Sequence, residues 1–377
     1  MYRLTYLFLI LCISVCFADL QQKIDSLKQE LEKNPDNYKL HFDLGICYNS
    51  INDYKNAIEA FQNAIRLKPD YALADYKLAL VYYEMDSLIA AEQLLRKIKT
   101  KFSDKPVVSW LLGKIYLHLE DYEKAIAFFK EHTRQQKIPE YEVLAMPYSL
   151  AGQYSEAIKY YQKSLKYHTY NYDLDFILSM LHYKTGDTIS GEKWFKKAKE
   201  DLSRSYRYYG YQIKPEVILS YESVWQFRIG NFDRAIVAVE TLITKEWDDG
   251  IDLYNLGIYK ILKGDTTGLL TIKHACTRDT TGFVEIMYNV LEKVRRGDYT
   301  EAERLLFRKN LYLSRSGIAN GLHAFVLEKQ GKSSSAMKYW LNCFGKLPLG
   351  VDIESMRKFI EIFVDKLEAT QPMRSQE

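Results

Sequence analysis

The sequence predicts an all-α protein built as an array of helix-turn-helix units, each stacked on the one before. The first observation is a phase that repeats. In the stretch 38–71, YKLHFDLGICYNSINDYKNAIEAFQNAIRLKPDY, the pair Leu44-Gly45 leads on to Tyr48, Ala57, Phe61, Ala64 and Pro69. The skeleton returns after 34 residues as Leu78-Ala79, Tyr82, Ala91 and Leu95, and after another 34 as Leu112-Gly113, Tyr116, Ala125 and Phe129. Unrelated amphipathic helices share a period near 3.6 but have no reason to share this longer phase. The second observation is a ladder of turns. Gly152, Gly186, Gly230, Gly264, Gly297 and Gly331 stand at steps of 34, 44, 34, 33 and 34, each followed by a polar residue and a new helical pattern. A helix that ends in a tight reversal needs a left-handed residue just past its last turn, and a following Asp, Asn or Ser caps the next helix. Asn52 and Glu120 hold the same place in earlier copies. The third is a seam of small residues, Ala57, Ala91, Ala125, Ala157, Gly191, Ala235, Ala302 and Ala336, each with a large apolar or aromatic partner four residues on. Small side chains there let the two helices of a unit approach closely.

In chain order, Arg3 precedes an apolar run from Leu4 to Val15, and Cys16-Phe17-Ala18 precedes Asp19. This pattern reads as a secretory signal cleaved after Ala18. Leu4 to Ala18 is 15 residues, short of the ~20 that a spanning helix requires. Lipid attachment at Cys12 or Cys16 is disfavoured by the bulky Leu11 and Val15 before them. Residues 19–37 carry Leu20, Ile24, Leu27 and Leu31 at helical spacing and stop at Asn34-Pro35, a capping helix for the apolar end of the first unit. Residues 38–200 hold the regular units. Pro147 falls inside a first helix there, which it bends or shortens. The 44-residue step leaves an Arg/Tyr-rich insertion at 201–215. Degenerate units follow over 216–350, the least regular near Gly250, and 351–377 reads as a closing helix and a tail.

The Leu-Gly-Tyr-Ala-Phe-Ala-Pro spacing resembles the tetratricopeptide (TPR) repeat. The resemblance implies a right-handed α-α superhelix, a solenoid of about nine repeats, close to the family pattern over 38–131 and architectural elsewhere. It also implies that the first helix of each pair lines a concave groove that receives an extended peptide or a partner helix, with no catalysis and no cofactor. Residues at i, i+4 and i+7 of the first helices share a face beside the packing face. Phe42, Tyr76, Tyr83, Trp110 and Lys114 are the candidate partner-binding residues on it, and core packing is the competing reading of the aromatic ones. TPR proteins that grip chaperone tails use Lys and Asn at places where this chain has Phe42, Ile46, Lys77, Val107 and Leu111, so that clamp is not expected.

A second candidate site lies in the insertion. Arg204, Arg207, Tyr208 and Tyr209 interleave cations with aromatics, which suits a carbohydrate or another small ligand; the alternative is a long second helix whose Tyr residues pack and whose Arg residues snorkel. The run Lys196-Lys197-Ala198-Lys199 reads as a solvated face. The acidic turn from Glu246 to Asp252 resembles a calcium loop, but the simpler reading is an inter-repeat turn with Asp249 or Asp252 as a helix cap.

Composition narrows the function further. Apolar residues are 47% of the chain, charged residues 27%, and there are eight prolines, so the chain is globular and rich in helix. The formal charge of +3 becomes +2 without Arg3, a balance that leaves no electrostatic footprint for nucleic acid or anionic membrane. Cys47, Cys276 and Cys343 make neither a disulfide framework nor a metal motif, although Cys276 and Cys343 are free to pair if the fold joins them. No nucleophile elbow, zincin, P-loop or dinucleotide motif occurs, and the seven histidines show no ligand spacing, so no catalytic and no metal residues are assigned. The expected protein is an exported scaffold or adaptor of the bacterial envelope, with no transmembrane segment in the mature chain. Its rivals are a binder of small ligands at the insertion and an enzyme whose site is dispersed in sequence.

Overall fold

The computed structural model describes residues 19–100, 106–167, 171–245, 250–307, 316–343 and 352–369. The leader, His168, the acids 246–249, the end of the last repeat and the tail beyond 369 lie outside these residues. All regular structure among the described residues is helical. Two compact units divide the chain, Met1–Pro139 and Glu140–Glu377.

The first unit holds α1 (19–33), α2 (Tyr38–Ser50), α3 (Tyr54–Leu67), α4 (Ala72–Glu84), α5 (Leu88–Lys99), α6 (Pro106–His118) and α7 (Tyr122–Gln135). The helices pack as hairpins, α2 on α3, α4 on α5 and α6 on α7. Local chemistry sets where each begins. Asn37, Asp53 and Asp121 accept the backbone N–H of Lys39, Asn56 and Lys124, groups that the helix itself leaves unbonded. The turns between paired helices place Asn52, Asp86 and Glu120 at φ of 59°, 60° and 56°, the left-handed position that glycine takes further along the chain. The helices of a hairpin approach through Gly45 and Gly113: an added Cβ would lie 2.7 Å from the Phe61 ring and 2.8 Å from the Phe129 ring. Ile24 and Leu27 of α1 are buried against Phe42, Cys47 and Phe61, closing the first hairpin.

The second unit holds α8 (Tyr141–Leu150), α9 (Tyr154–Ser164) with a 3-10 turn at Leu165–Tyr167, α10 (Tyr172–Lys184), α11 (Thr188–Tyr208), α12 (Pro215–Arg228) and α13 (Phe232–Thr244). It continues through α14 (Ile251–Leu262), α15 (Gly268–Ala275), α16 (Phe283–Arg295), α17 (Tyr299–Leu306), α18 (Gly317–Lys329), α19 (Ser333–Asn342) and α20 (Ile353–Glu368). The ladder glycines all lie at positive φ, from 70° at Gly152 to 87° at Gly230, and Asp187 and Asp298 then cap α11 and α17. The seam residues are buried throughout, and a Cβ added to Gly191 would lie 3.0 Å from the Tyr183 ring on the partner helix. In the irregular unit near Gly250 the approach is made by two glycines, because a Cβ on Gly268 would lie 2.6 Å from the Gly257 carbonyl oxygen.

Pro147 sits inside α8, which runs for 10 residues against 13 for α10. Residues 201–208 of the insertion lengthen α11 to 21 residues, and 209–214 form the loop that leads to α12. The closing helix α20 packs on α14, α16 and α18, and its cap Asp352 accepts hydrogen bonds from the Ser355 amide (2.6 Å) and the Tyr154 hydroxyl (2.7 Å). Cys47, Cys276 and Cys343 are all free thiols, so Cys276 and Cys343 do not pair; burial pushes Cys343 up to about 12.

Candidate functional site

The first-helix residues singled out above divide by environment. Phe42 on α2 is 7% exposed and packs against Phe61 (5.7 Å between centroids) and Tyr71 (5.1 Å). Its ring serves the core because α1 and α3 enclose it. Tyr76 and Tyr83 on α4, and Trp110 and Lys114 on α6, come together instead as one half-buried cluster at the α4–α6 contact.

Lys114 organises this cluster. Its ammonium lies 4.7 Å from the Trp110 ring centroid and 5.2 Å from that of Tyr83, within the range of cation-π attraction. The two rings are on different helices, so the lysine bridges neighbouring repeats. One turn further along α6, His118 Nε2 and the Tyr83 hydroxyl are hydrogen-bonded at 3.0 Å, with the rings 5.2 Å apart. Burial pushes the Tyr83 and Tyr76 phenols above their ordinary pKa, so both remain neutral donors. Sequence reasoning missed His118; the signal was its i+4 relation to Lys114 on the same face. The result is a half-buried aromatic surface on two adjacent repeats with the Lys114 ammonium against its rings.

The insertion residues Arg204, Arg207, Tyr208 and Tyr209 are all exposed near the end of α11. Tyr208 and Tyr209 are 72% and 70% exposed and meet edge-on at 5.3 Å. The long-helix reading therefore holds for the backbone, while these two tyrosines do not pack into the core. Arg204 is engaged with Asp201 at 3.1 Å and Glu200 at 3.7 Å.

The lysine run is more than a solvated face. Lys197 Nζ reaches Asp175 on α10 at 2.7 and 2.8 Å and Asp201 at 2.7 Å, and Lys199 pairs with Glu222 at 3.1 Å. Burial, with Asp201 beside it, raises the Asp175 carboxyl to about 7 despite the ammonium. This cluster ties α10 to α11. Asp252, the described part of the acidic turn, does not cap α14; it is 3% exposed and accepts from Ser220 Oγ at 3.0 Å. Among the described residues no group of three His, Cys, Asp or Glu is placed to hold a metal ion. Other first-helix residues, Ser220, Val224, Phe227 and Tyr254, line a cavity of about 300 Å³ in the second unit.

Comparison with known proteins bears on the repeats. Family profiles for "TPR repeat" and "Tetratricopeptide repeat" match residues 47–86 and 108–133. The TPR repeat-containing protein YpiA of Bacillus subtilis (strain 168) is 24% identical over 119 residues, which span 30% of this chain and only 28% of YpiA. Among solved structures, MamA is 19% identical, covering 47% of this chain and 98% of its own at a TM-score of 0.43. YrrB, described as a TPR protein with an unusual peptide-binding site, is 15% identical over 47% of this chain and 93% of its own, at 0.41. A tetratricopeptide repeat protein from Parabacteroides merdae ATCC 43184 is 14% identical over 73% and 93%, at 0.42. The chain thus carries tetratricopeptide repeats at 47–86 and 108–133, the stretch in which the 34-residue phase is strictest.

Proposed function

We propose that the protein is a non-catalytic scaffold or adaptor that binds a segment of a partner protein on the α4–α6 surface. The observation that carries the proposal is the Lys114 ammonium held between the rings of Trp110 and Tyr83 on adjacent repeats. Large, pre-ordered aromatics bury much area at low entropic cost, and the half-buried Lys114 puts a positive charge beside them. Tyr76 extends the surface along α4. The exported, envelope location belongs to the same proposal and rests on the pattern of residues 1–18; no helix among the described residues is long and apolar enough to cross a membrane.

The test is a crosslinking pull-down of residues 19–377 from the native envelope fraction, beside a Tyr76→Ala/Trp110→Ala variant with unchanged helical circular dichroism. One protein recovered by the wild type and lost from the variant supports the reading. Equal recovery by both places the interaction elsewhere, and recovery from the cytosolic fraction alone removes the envelope assignment. The insertion is the second reading, carried by the exposure of Tyr208 and Tyr209. Glycan binding abolished by Tyr208→Ala/Tyr209→Ala would favour it.

A further inference from the structure

Helix α11 outruns its neighbours. The pairs Phe195–Trp225 and Lys199–Glu222 set α12 antiparallel to it, which brings Pro215, the first residue of α12, alongside Tyr206. Asp175 against Lys197 does the same for α10, whose first residue, Tyr172, comes alongside Glu200. The end of α11 at Tyr208 therefore passes both starts, that of α10 by about two turns, ~10 Å. The loop 209–214 prolongs it, with Gly210 turning the chain at φ 80°.

This projecting end is aromatic. Tyr208, Tyr209 and Tyr211 are 72%, 70% and 67% exposed, three large rings within four residues, where a surface ordinarily scatters such side chains singly. Acids are missing from it. Residues 202–215 hold Arg204, Arg207 and Lys214 and no Asp or Glu. Arg204 is drawn back onto Asp201 and Glu200, but Arg207 is exposed, and among the described residues no carboxylate pairs with it. Glu216, the first acid beyond the loop, is paired with Lys245 at 3.4 Å. The near-neutral charge of the chain as a whole conceals this run.

A projecting tip cannot enclose a ligand, so what binds it must enclose the tip. The headgroup layer of a membrane does so. Tyrosine joins an apolar ring to a hydroxyl that stays wet, and it concentrates at that level. Interfacial side chains sink ~5–10 Å, a depth comparable to the overhang. A cation beside them meets the phosphates and anionic headgroups. We propose that the end of α11 and its loop are a docking point for an anionic phospholipid surface. Tyr208, Tyr209 and Tyr211 enter the headgroup layer, and Arg207 takes a lipid phosphate. The proposal goes beyond the α4–α6 reading and does not depend on it. It gives the insertion tyrosines to lipid, where the second reading gives them to a glycan.

Co-sedimentation of residues 19–377 with phospholipid vesicles tests it. The apolar leader is omitted because it would itself partition into lipid, and no described helix is lost with it. Vesicles of phosphatidylcholine and phosphatidylglycerol in equal parts are expected to bind the chain, and phosphatidylcholine alone to bind it several-fold less. Tyr208→Ala/Tyr209→Ala/Tyr211→Ala should weaken binding at least about tenfold. Arg207→Gln should weaken it about fivefold, on the mixed vesicles only. Hydrogen exchange on the unaltered sequence locates the contact without any variant: mixed vesicles should protect the amides of 207–214 and leave those of α4 and α6 unchanged. No binding to the mixed vesicles overturns the proposal. So does equal binding by the triple variant, equal binding to both kinds of vesicle, or protection confined to other helices. A chain that binds a glycan through Tyr208 and Tyr209 and ignores vesicles overturns it as well, and leaves the second reading standing.

Discussion

Replacing Lys197 by methionine keeps the aliphatic stem and deletes the ammonium that joins α10 to α11. That ammonium is 2.7 Å from one oxygen of Asp175 and 2.7 Å from Asp201, whose side chains are 0% and 6% exposed. Removing one member of a buried ion pair leaves the other uncompensated, at ~3–5 kcal/mol. Lys197 keeps 41% exposure, so water screens part of the pair and the low end, about 3 kcal/mol at pH 8, is expected. The cost must depend on pH. Burial holds the folded Asp175 carboxyl at about 7, above its ordinary 3.8, so the folded state binds this proton more tightly than the unfolded chain does. Stability from this group is therefore full below the unfolded value and is lost as pH rises through the folded one. Without the ammonium the carboxyl is harder still to ionise, and the loss extends further to the alkaline side. At pH 5.5 the protonated acid hydrogen-bonds its neighbour, and the cost falls by about 1–2 kcal/mol, at ~1.4 kcal/mol for each pKa unit. Urea denaturation of wild type and Lys197→Met, followed by circular dichroism at pH 5.5 and pH 8, measures both values. Equal costs at the two pH values, a larger cost at pH 5.5, or a cost below about 1 kcal/mol at pH 8 would refute the reasoning.

Gly113→Ala places a Cβ 2.8 Å from the Phe129 ring, which is 1% exposed and has no room to yield; urea denaturation should show a loss of ~1–3 kcal/mol, and Phe129→Leu in the same chain should recover part of it. Asp352→Asn weakens the cap of α20 and its bond to Tyr154, at ~1.5–3 kcal/mol near neutral pH. Burial works to raise the Asp352 carboxyl, but hydrogen bonds from Ser355 and Tyr154 and the charge of Lys184 hold it below its ordinary 3.8. Its contribution is thus present above that value and disappears as pH falls through the folded one, so wild type and variant should converge between pH 5 and pH 2; a constant gap contradicts this. Tyr208→Ala and Tyr209→Ala, at 72% and 70% exposed, should each change stability by no more than about 0.5 kcal/mol in a thermal melt.

The module was readable because its instructions are local. Gly186 at φ 82° followed by Asp187, whose side chain bonds the Ser190 amide, is a turn and a cap written in two adjacent residues. The seam was readable for the same reason, since Ala125 and Phe129 lie one helical turn apart and share a face. The candidate site was only partly legible. Phe42, Tyr76 and Trp110 occupy one place in three successive repeats, yet Phe42 is enclosed by α1 and α3 while Tyr76 and Trp110 are half-buried at the α4–α6 contact. Periodicity assigns a residue to a face of its helix. It does not say what lies opposite.

Residues far apart in the chain made the remaining decisions. Lys197 lies 22 residues beyond Asp175, and the run KKAK gives no sign that one of its ammonium groups turns inward to a buried acid. The cavity draws on residues from 220 to 318, which only packing brings together. The sequence by itself therefore determined the repeated helix pair, its turns, its caps and its seam, because backbone conformation and side-chain spacing within a helix are settled over a few residues. Only the tertiary structure decided which aromatics are core, which lysine is a counterion and where a cavity remains, because burial and charge environment are set by the packing of several helices at once.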